Sequence, residues 1–170
     1  ILFGHMGRPQ KVGNISELST KQLVSALSTI LGKDVEFCVD LSSVKNSNSK
    51  IKLLENTRFD PREEQNSIEL AKEYAVLADI YVNDCFSVSH REHSSLMAIA
   101  DLLPAYQGDH LASEVKALKN LLDNTEKPFI GIVGGAKVSD KLEICKKLVK
   151  TCDQVIIGGA MIFTFLLAKG

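Results

Sequence analysis

Residues 127–159 read KPFIGIVGGAKVSDKLEICKKLVKTCDQVIIGG, and the order of patterns in this stretch decides the fold class. A β-type apolar run at 129–133 meets a glycine turn, helix-type spacing follows over about 139–150, and a second apolar run at 154–157 ends on two more glycines. A further helical pattern continues to Lys169. Strand, helix and strand over this length form a βαβ unit, whose crossover lays the strands parallel and packs helices on the sheet faces. Five of the eleven glycines fall between Gly131 and Gly159, so backbone freedom is concentrated at the ends of these two strands.

Toward the N-terminus the pattern is similar. Residues 1–3 read as the tail of a buried strand feeding the loop Gly4-His5-Met6-Gly7-Arg8-Pro9. Ser19 with Gln22 is a capping-box signal; Leu23, Val24, Leu27, Ile30 and Leu31 share a helical face, and Gly32 supplies the stop. Residues 35–39 form a short β-type run, and 41–49, with four serines and two asparagines, reads as a loop. Residues 51–54 and 80–82 are further strand candidates, and Asn66 is placed to cap a helix through Leu70, Ala71, Tyr74, Leu77 and Ala78. A polar loop (83–93) precedes a helix near 94–103, halted by Pro104. Leu111, Val115, Leu118, Leu121 and Leu122 then mark a helix over 108–124. Up to Gln107 there are 11 basic and 14 acidic residues, and from Gly108 there are 9 and 7. That change places a domain boundary at the 108–124 helix.

Composition narrows the function classes. With 45% hydrophobic residues and a net charge of −1 in 170 residues, the chain is neither a disordered polyelectrolyte nor a broad basic surface for nucleic acid. No apolar run approaches the roughly 18 residues that span a bilayer. Cys38, Cys85, Cys145 and Cys152 form no CxxC pair and are expected as free thiols, with Cys85 buried and inert. The chain begins at Ile1 rather than Met and stops at Gly170 straight after a helical pattern; both ends look cut, so a missing targeting peptide is uninformative.

Arginine usage is the first chemical signal. There are four arginines against sixteen lysines, and Arg8, Arg58 and Arg91 each lie shortly after a strand candidate. In open parallel sheets, ligands bind beyond the carboxyl ends of strands. If those strands are neighbours, three guanidinium forks converge on one rim beside His5 and His90, suited to a small, multiply anionic molecule. The bland alternative is three separately solvated arginines. The second signal is the turn Gly134-Gly135-Ala136-Lys137, with Lys141 one helical turn beyond Lys137: a helix N-terminus whose free N–H groups and positive dipole suit phosphate. Its spacing matches neither the P-loop nor the dinucleotide fingerprint, so a tight turn with solvated lysines stays open. Gly158 and Gly159 either admit a ligand or pack a helix closely. His90-x-x-His93 lacks further ligands for a metal, and no metal site is expected. Asp84 and Glu55 are candidates to orient arginines, while Glu63-Glu64 and Lys146-Lys147 read as solvated helix faces.

Taken in order, GHMGRP (4–9), LLENTRF (53–59), DIYVNDCFSVSHREHSS (79–95), KPFIGIVGGAKVSDKLE (127–143) and IIGGAMIFTFLLAKG (156–170) resemble phosphoglycerate kinase over essentially the whole chain. The family patterns are SHLGRP, LLENxRF, DxYVNDAFGxAHRAHSS and IIGGGMAxTFL. The resemblance implies two α/β domains of doubly wound, Rossmann-like parallel sheet joined by a hinge helix, both incomplete here. Residues 1–107 would be the phosphoglycerate-binding domain without its first strand, 108–124 the hinge helix, and 125–170 the start of the nucleotide domain.

It further implies reversible phosphoryl transfer between 1,3-bisphosphoglycerate and ADP, giving 3-phosphoglycerate and ATP, in glycolysis. His5, Gly7, Arg8, Arg58, His90 and Arg91 would bind phosphoglycerate; Gly134, Gly135, Ala136, Lys137, Lys141, Gly158 and Gly159 would bind nucleotide. Lys137 and Arg91 would be catalytic. Mg²⁺ would arrive with ADP or ATP, its protein ligand lying outside these residues. A cytoplasmic monomer without nucleic-acid or membrane partners is implied, with an organellar form left open. Against the family pattern, Gly4, Ser87, Ala160 and Ile162 are substitutions, the 40–50 segment is short, and a side chain at Ala160 would crowd the nucleotide. The alternative is a non-catalytic phosphate-binding paralogue or a partner-binding piece. Because the family's magnesium-site acid and late glycine-rich loop have no counterpart here, the 170 residues alone are expected to be inactive. ATP made from 1,3-bisphosphoglycerate and ADP above a buffer blank would contradict this.

Overall fold

The computed structural model describes residues 1–9, 15–123, 125–135 and 138–170, with the side chains of Ile15 and Asp140 outside that description. The chain forms two compact units, Ile1–Val115 and Lys116–Gly170. Both are α/β, and every strand pairing among the described residues is parallel.

In the first unit β1 (Glu36–Cys38) pairs with β2 (Lys52–Leu54). Leu2 joins the other edge of β2, donating from its N–H to Lys52 O (2.7 Å) and accepting from Leu54 N–H (2.9 Å). β3 (Tyr81–Asn83) pairs with β4 (Ala105–Gln107), a strand that the sequence pattern did not suggest. No ladder joins residues 1–3 to β3 among the described residues. Their contact is through side chains: the Phe3 ring stacks on Tyr74 at 5.6 Å and on Tyr81 at 6.4 Å. Helices α1 (Val24–Leu31), α2 (Leu41–Asn46), α3 (Ile68–Ala75) and α4 (Asp109–Asp123) complete the element order, and the division between the units falls inside α4. Cys38, Val44, Leu54, Leu70, Ala71, Tyr74, Tyr81, Ala98 and Ile99 form the core.

Several local expectations change. The serine-rich 41–49 segment contains α2, started by a reciprocal cap in which Asp40 accepts from Ser43 N–H (2.7 Å) and Ser43 Oγ accepts from Asp40 N–H (3.0 Å). Serine composition suggested a loop, yet the cap and buried Val44 outweigh propensity. Ser19 does cap, but it opens the 3₁₀ turn Thr20–Leu23, and Gln22 donates to Ser19 O instead of closing a capping box. Ser67, not Asn66, caps α3. Asn66 takes a φ of 53° and accepts from Ala98 N–H (3.1 Å), joining two turns. Residues 94–103 are turns with one 3₁₀ segment, Ala98–Asp101, because Ser94 and Ser95 bond across to residues 62 and 63 rather than along a helix.

The second unit pairs β5 (Ile130–Gly134) with β6 (Gln154–Gly158) in register Gly134↔Gly158, followed by α6 (Met161–Lys169). α5 (Leu142–Thr151) connects the strands, preceded by the 3₁₀ turn Ser139–Lys141. Its small core is Val133, Cys145 and Met161. Ile132 on β5 is 75% exposed and Leu167 on α6 is 83% exposed, so one apolar face of each is uncovered. Open strand edges and bare apolar faces weaken cooperativity. Expected for the 170 residues are strong binding of a hydrophobic dye at neutral pH and a broad thermal transition; a sharp transition without dye binding would refute this.

Candidate functional site

The loops after residues 1–3 and β2 are held by one buried amide. Asn56, 2% exposed, donates from Nδ2 to Met6 O (2.9 Å) and Leu18 O (2.8 Å), while its Oδ1 accepts from Arg58 N–H (3.1 Å). Thr57 N–H donates to Gly4 O (3.0 Å). Gly7 closes the first loop at φ 60°; a Cβ there would lie 2.7 Å from Leu18 Cδ2. Arg58 then reaches back, its Nη1 donating to Gly7 O (2.7 Å). After β3, Asn83 Oδ1 accepts from Cys85 N–H (3.0 Å) and Arg91 N–H donates to Val88 O (2.9 Å), a tight turn that delivers His90 and Arg91.

Arg8 and Arg91 both bear on the charge of Arg58. Arg58 is buried; desolvation pushes its pKa down, Glu64 opposes that shift, and Arg91 and Arg8 reinforce it. Glu64 Oε1 lies 3.0 Å from Arg58 Nε as an ion pair. His5 is half-buried, and desolvation first, then the charges of Arg58, His93 and Arg91, depress its pKa to about 4. An imidazole held neutral beside several cations marks a region of positive potential. Arg58 Nη2 and Arg91 Nε are buried without hydrogen-bond partners among the described residues. Unmade donors of this kind are costly unless an anion takes them. Arg8 and His90 are exposed. The fourth arginine, Arg62, pairs instead with Asp60 (2.7 Å) and Glu73 (2.7 Å).

Sequence reasoning missed the polar residues behind this rim. Glu63, expected on a solvated helix face, is wholly buried: it accepts from Ser95 N–H (3.1 Å) and Ser95 Oγ–H, and lies 3.9 Å from His93 Nδ1. Glu64, its supposed partner on that face, is the ion-pair partner of Arg58. Glu55 pairs with no arginine among the described residues; it accepts from Ser19 Oγ–H (2.6 Å), Thr20 N–H (2.8 Å) and Asn56 N–H (2.7 Å). Burial works against its charge, but these bonds win and hold the carboxyl below its ordinary value. Asp84 accepts from Leu111 N–H (3.0 Å) in the first turn of α4, where the helix dipole favours a carboxylate. Cys85 is exposed rather than buried, because the turn after β3 carries it outward with Sγ 3.3 Å from Ser87 Oγ.

In the second unit the strand ends are bare. Gly134 and Gly158 face each other across the ladder, and Gly159, at φ 67°, comes so close to Gly135 that a Cβ would lie 3.1 Å from its backbone N and O. A Cβ on Gly135 would meet the Lys141 stem at 2.8 Å, so that lysine runs along the glycine turn. Met161 N–H donates to Gly135 O (3.1 Å). Ala160 is exposed with ordinary helical angles. Ala136 and Lys137 lie outside the described residues. Backbone without side chains at two neighbouring strand ends lets a phosphorylated ligand approach the main chain.

Two parallel α/β units, one with buried guanidinium donors past its strands and the other ending its strands on paired glycines, define an α/β protein whose strand ends are suited to anions. More specifically, the chain belongs to the phosphoglycerate kinase family, whose model, described as phosphoglycerate kinase, matches residues 1–170. It is 43% identical over 177 residues to the phosphoglycerate kinase of Fervidobacterium nodosum and 46% over 178 residues to that of Ruegeria sp.. All of this chain is covered in both cases but only 44% of each relative. The structure of phosphoglycerate kinase from Coxiella burnetii superposes with a TM-score of 0.79 at 38% identity, covering 98% of this chain and 43% of that one. The Pyrococcus horikoshii enzyme gives 0.81 at 29% identity, covering 99% and 45%. The chain thus spans under half the length of the relatives it matches.

Asn56→Ala strands two carbonyls and one N–H, and each buried group left unpartnered costs about 1–3 kcal/mol. Its denaturation midpoint is expected to fall well below the parent's, and an unchanged midpoint would show that the amide does not hold the loops. Gly7→Ala is expected to cost about 1–2 kcal/mol from its left-handed backbone alone, measured the same way.

Proposed function

We propose that the chain carries the phosphoglycerate site and the start of the nucleotide site of a phosphoglycerate kinase: reversible phosphoryl transfer between 1,3-bisphosphoglycerate and ADP. The observation that carries this reading is the set of buried, unpartnered guanidinium donors on Arg58 and Arg91 beside a neutral His5, within the family's matched residues. His5, Gly7, Arg8, Arg58, His90 and Arg91 bind the phosphoglycerate; Gly134, Gly135, Ala136, Lys137, Lys141, Gly158 and Gly159 bind the nucleotide phosphates.

Phosphoryl transfer needs alignment and positive charge around the equatorial oxygens more than covalent help. Arg91 and Lys137 supply that charge from the two sides of the reaction. The 108–124 helix serves as the hinge between substrate domains, consistent with the unit division falling inside α4. Closing two domains on both substrates expels water that would otherwise hydrolyse an acyl phosphate. Mg²⁺ travels with the nucleotide, where it would offset phosphate charge; among the described residues no group of three His, Cys, Asp or Glu side chains gathers to hold it, and no step is assigned to it. The protein acts in the cytoplasm as a monomer. No described helix is long and apolar enough to cross a membrane.

Arg58→Ala tests the assignment. Loss of a charge-assisted partner is expected to weaken 3-phosphoglycerate binding by about 1.5–3 kcal/mol, measured by calorimetry, with ADP affinity nearly unchanged. Equal losses for both ligands would reject it.

A further inference from the structure

The buried carboxylate of Glu63 lies beside His93 and acts on the charge of Arg58. Its Oε1 lies 3.9 Å from His93 Nδ1, an atom that is itself buried without a hydrogen-bond partner. The His93 ring in turn meets His5 edge-on, with centroids 6.3 Å apart and planes at 61°. Glu63, His93 and His5 are thus successive neighbours, and Arg58 and Arg91 bear on the charge of both imidazoles. We propose that Glu63 is a positioning residue that lets a phosphate-bearing anion bind together with one proton, taken from solvent and stored on the His93 imidazole against the Glu63 carboxylate. This rests on the reading of the rim as the phosphoglycerate site.

The charges around the pair favour such coupling. His93 is surrounded by Arg58, Arg91 and His90, which oppose its protonation, and by Glu64, which favours it; desolvation is the largest influence and keeps it below its ordinary value. Glu63 is buried among Ser95, Thr57 and Arg58, and burial raises its pKa. Tyr74 and Tyr81 also feel its charge, but their own burial already holds both phenols protonated through neutral pH. Of the groups around Glu63, His93 is the one whose ordinary value lies near neutrality, and burial holds it below that value. An anion at the rim cancels the repulsion from Arg58 and Arg91, so the His93 pKa rises on binding. Between the free and bound values the complex holds a proton that the free protein lacks, and affinity must rise as pH falls. A closer approach of Nδ1–H to Glu63 would then make a charge-assisted bond that a neutral ring does not make.

Sulfate is the probe, since its charge is constant over the range used. Calorimetry in buffers of different protonation enthalpy is expected to show uptake of up to about one proton per sulfate, and affinity rising by up to about tenfold per pH unit as pH falls toward the His93 titration. Imidazole nitrogen resonances of the unsubstituted protein should place the new proton on His93. His93→Gln should flatten the pH dependence to about twofold per unit, and Glu63→Gln should lower the sulfate-bound His93 titration by about one unit. If Glu63→Gln does not fold, the resonances of the unsubstituted protein decide alone. Sulfate binding without proton uptake, a proton found on His5 or His90, or an undiminished slope in His93→Gln overturns the proposal and leaves the phosphoglycerate reading standing. Failure of both sulfate and 3-phosphoglycerate to bind removes both.

Discussion

Like charges gathered in a partly desolvated place repel, and the first unit is organised around that constraint. Arg8 and Arg91 act on Arg58, which is 5% exposed, so water screens it little. Two neighbouring carboxylates make this tolerable: Glu64 pairs with Arg58 directly, and Glu63 lies wholly buried behind it. Neither consumes every donor. Arg58 Nη2 and Arg91 Nε keep unspent capacity, which a small anion with several oxygens would use. Stability and ligand choice are thereby coupled, because the arrangement that costs folding energy is the one that recognises charge.

The scaffold supplies position rather than chemistry. Residues 1–3 and β2 are parallel neighbours that end on the same side, so the loops that follow them are brought within reach of one another by topology. What topology leaves loose, Asn56 fixes with three buried hydrogen bonds. The second unit uses the same geometry with the opposite chemistry, presenting bare backbone at Gly134 and Gly158 where the first presents side chains.

Part of this was legible in the sequence. The rarity of arginine and its recurrence after apolar runs pointed to the rim, and glycine placement pointed to the ends of β5 and β6. Glu63 and Asn56 were not legible, because a polar residue beside other polar residues carries no mark of burial; only its partners, some thirty or more positions away, pull it inside. The one available signal was Asn56 itself, a strong turn former two positions after Leu54. Propensity misled at 41–46, where a capping pair made a helix from serines, and at 94–103, where cross-chain bonds from Ser94 and Ser95 prevented one. β4 was hidden because three exposed residues after a proline carry no alternation to read.

The amide of Asn56 has one more consequence, and it concerns the order of assembly. Its two acceptor carbonyls lie 50 and 38 positions earlier in the chain. Contacts that close loops of this length form only after shorter-range structure has paid their entropy. The rim is therefore among the late products of folding, and anion affinity reports the completion of the whole unit rather than of any one loop.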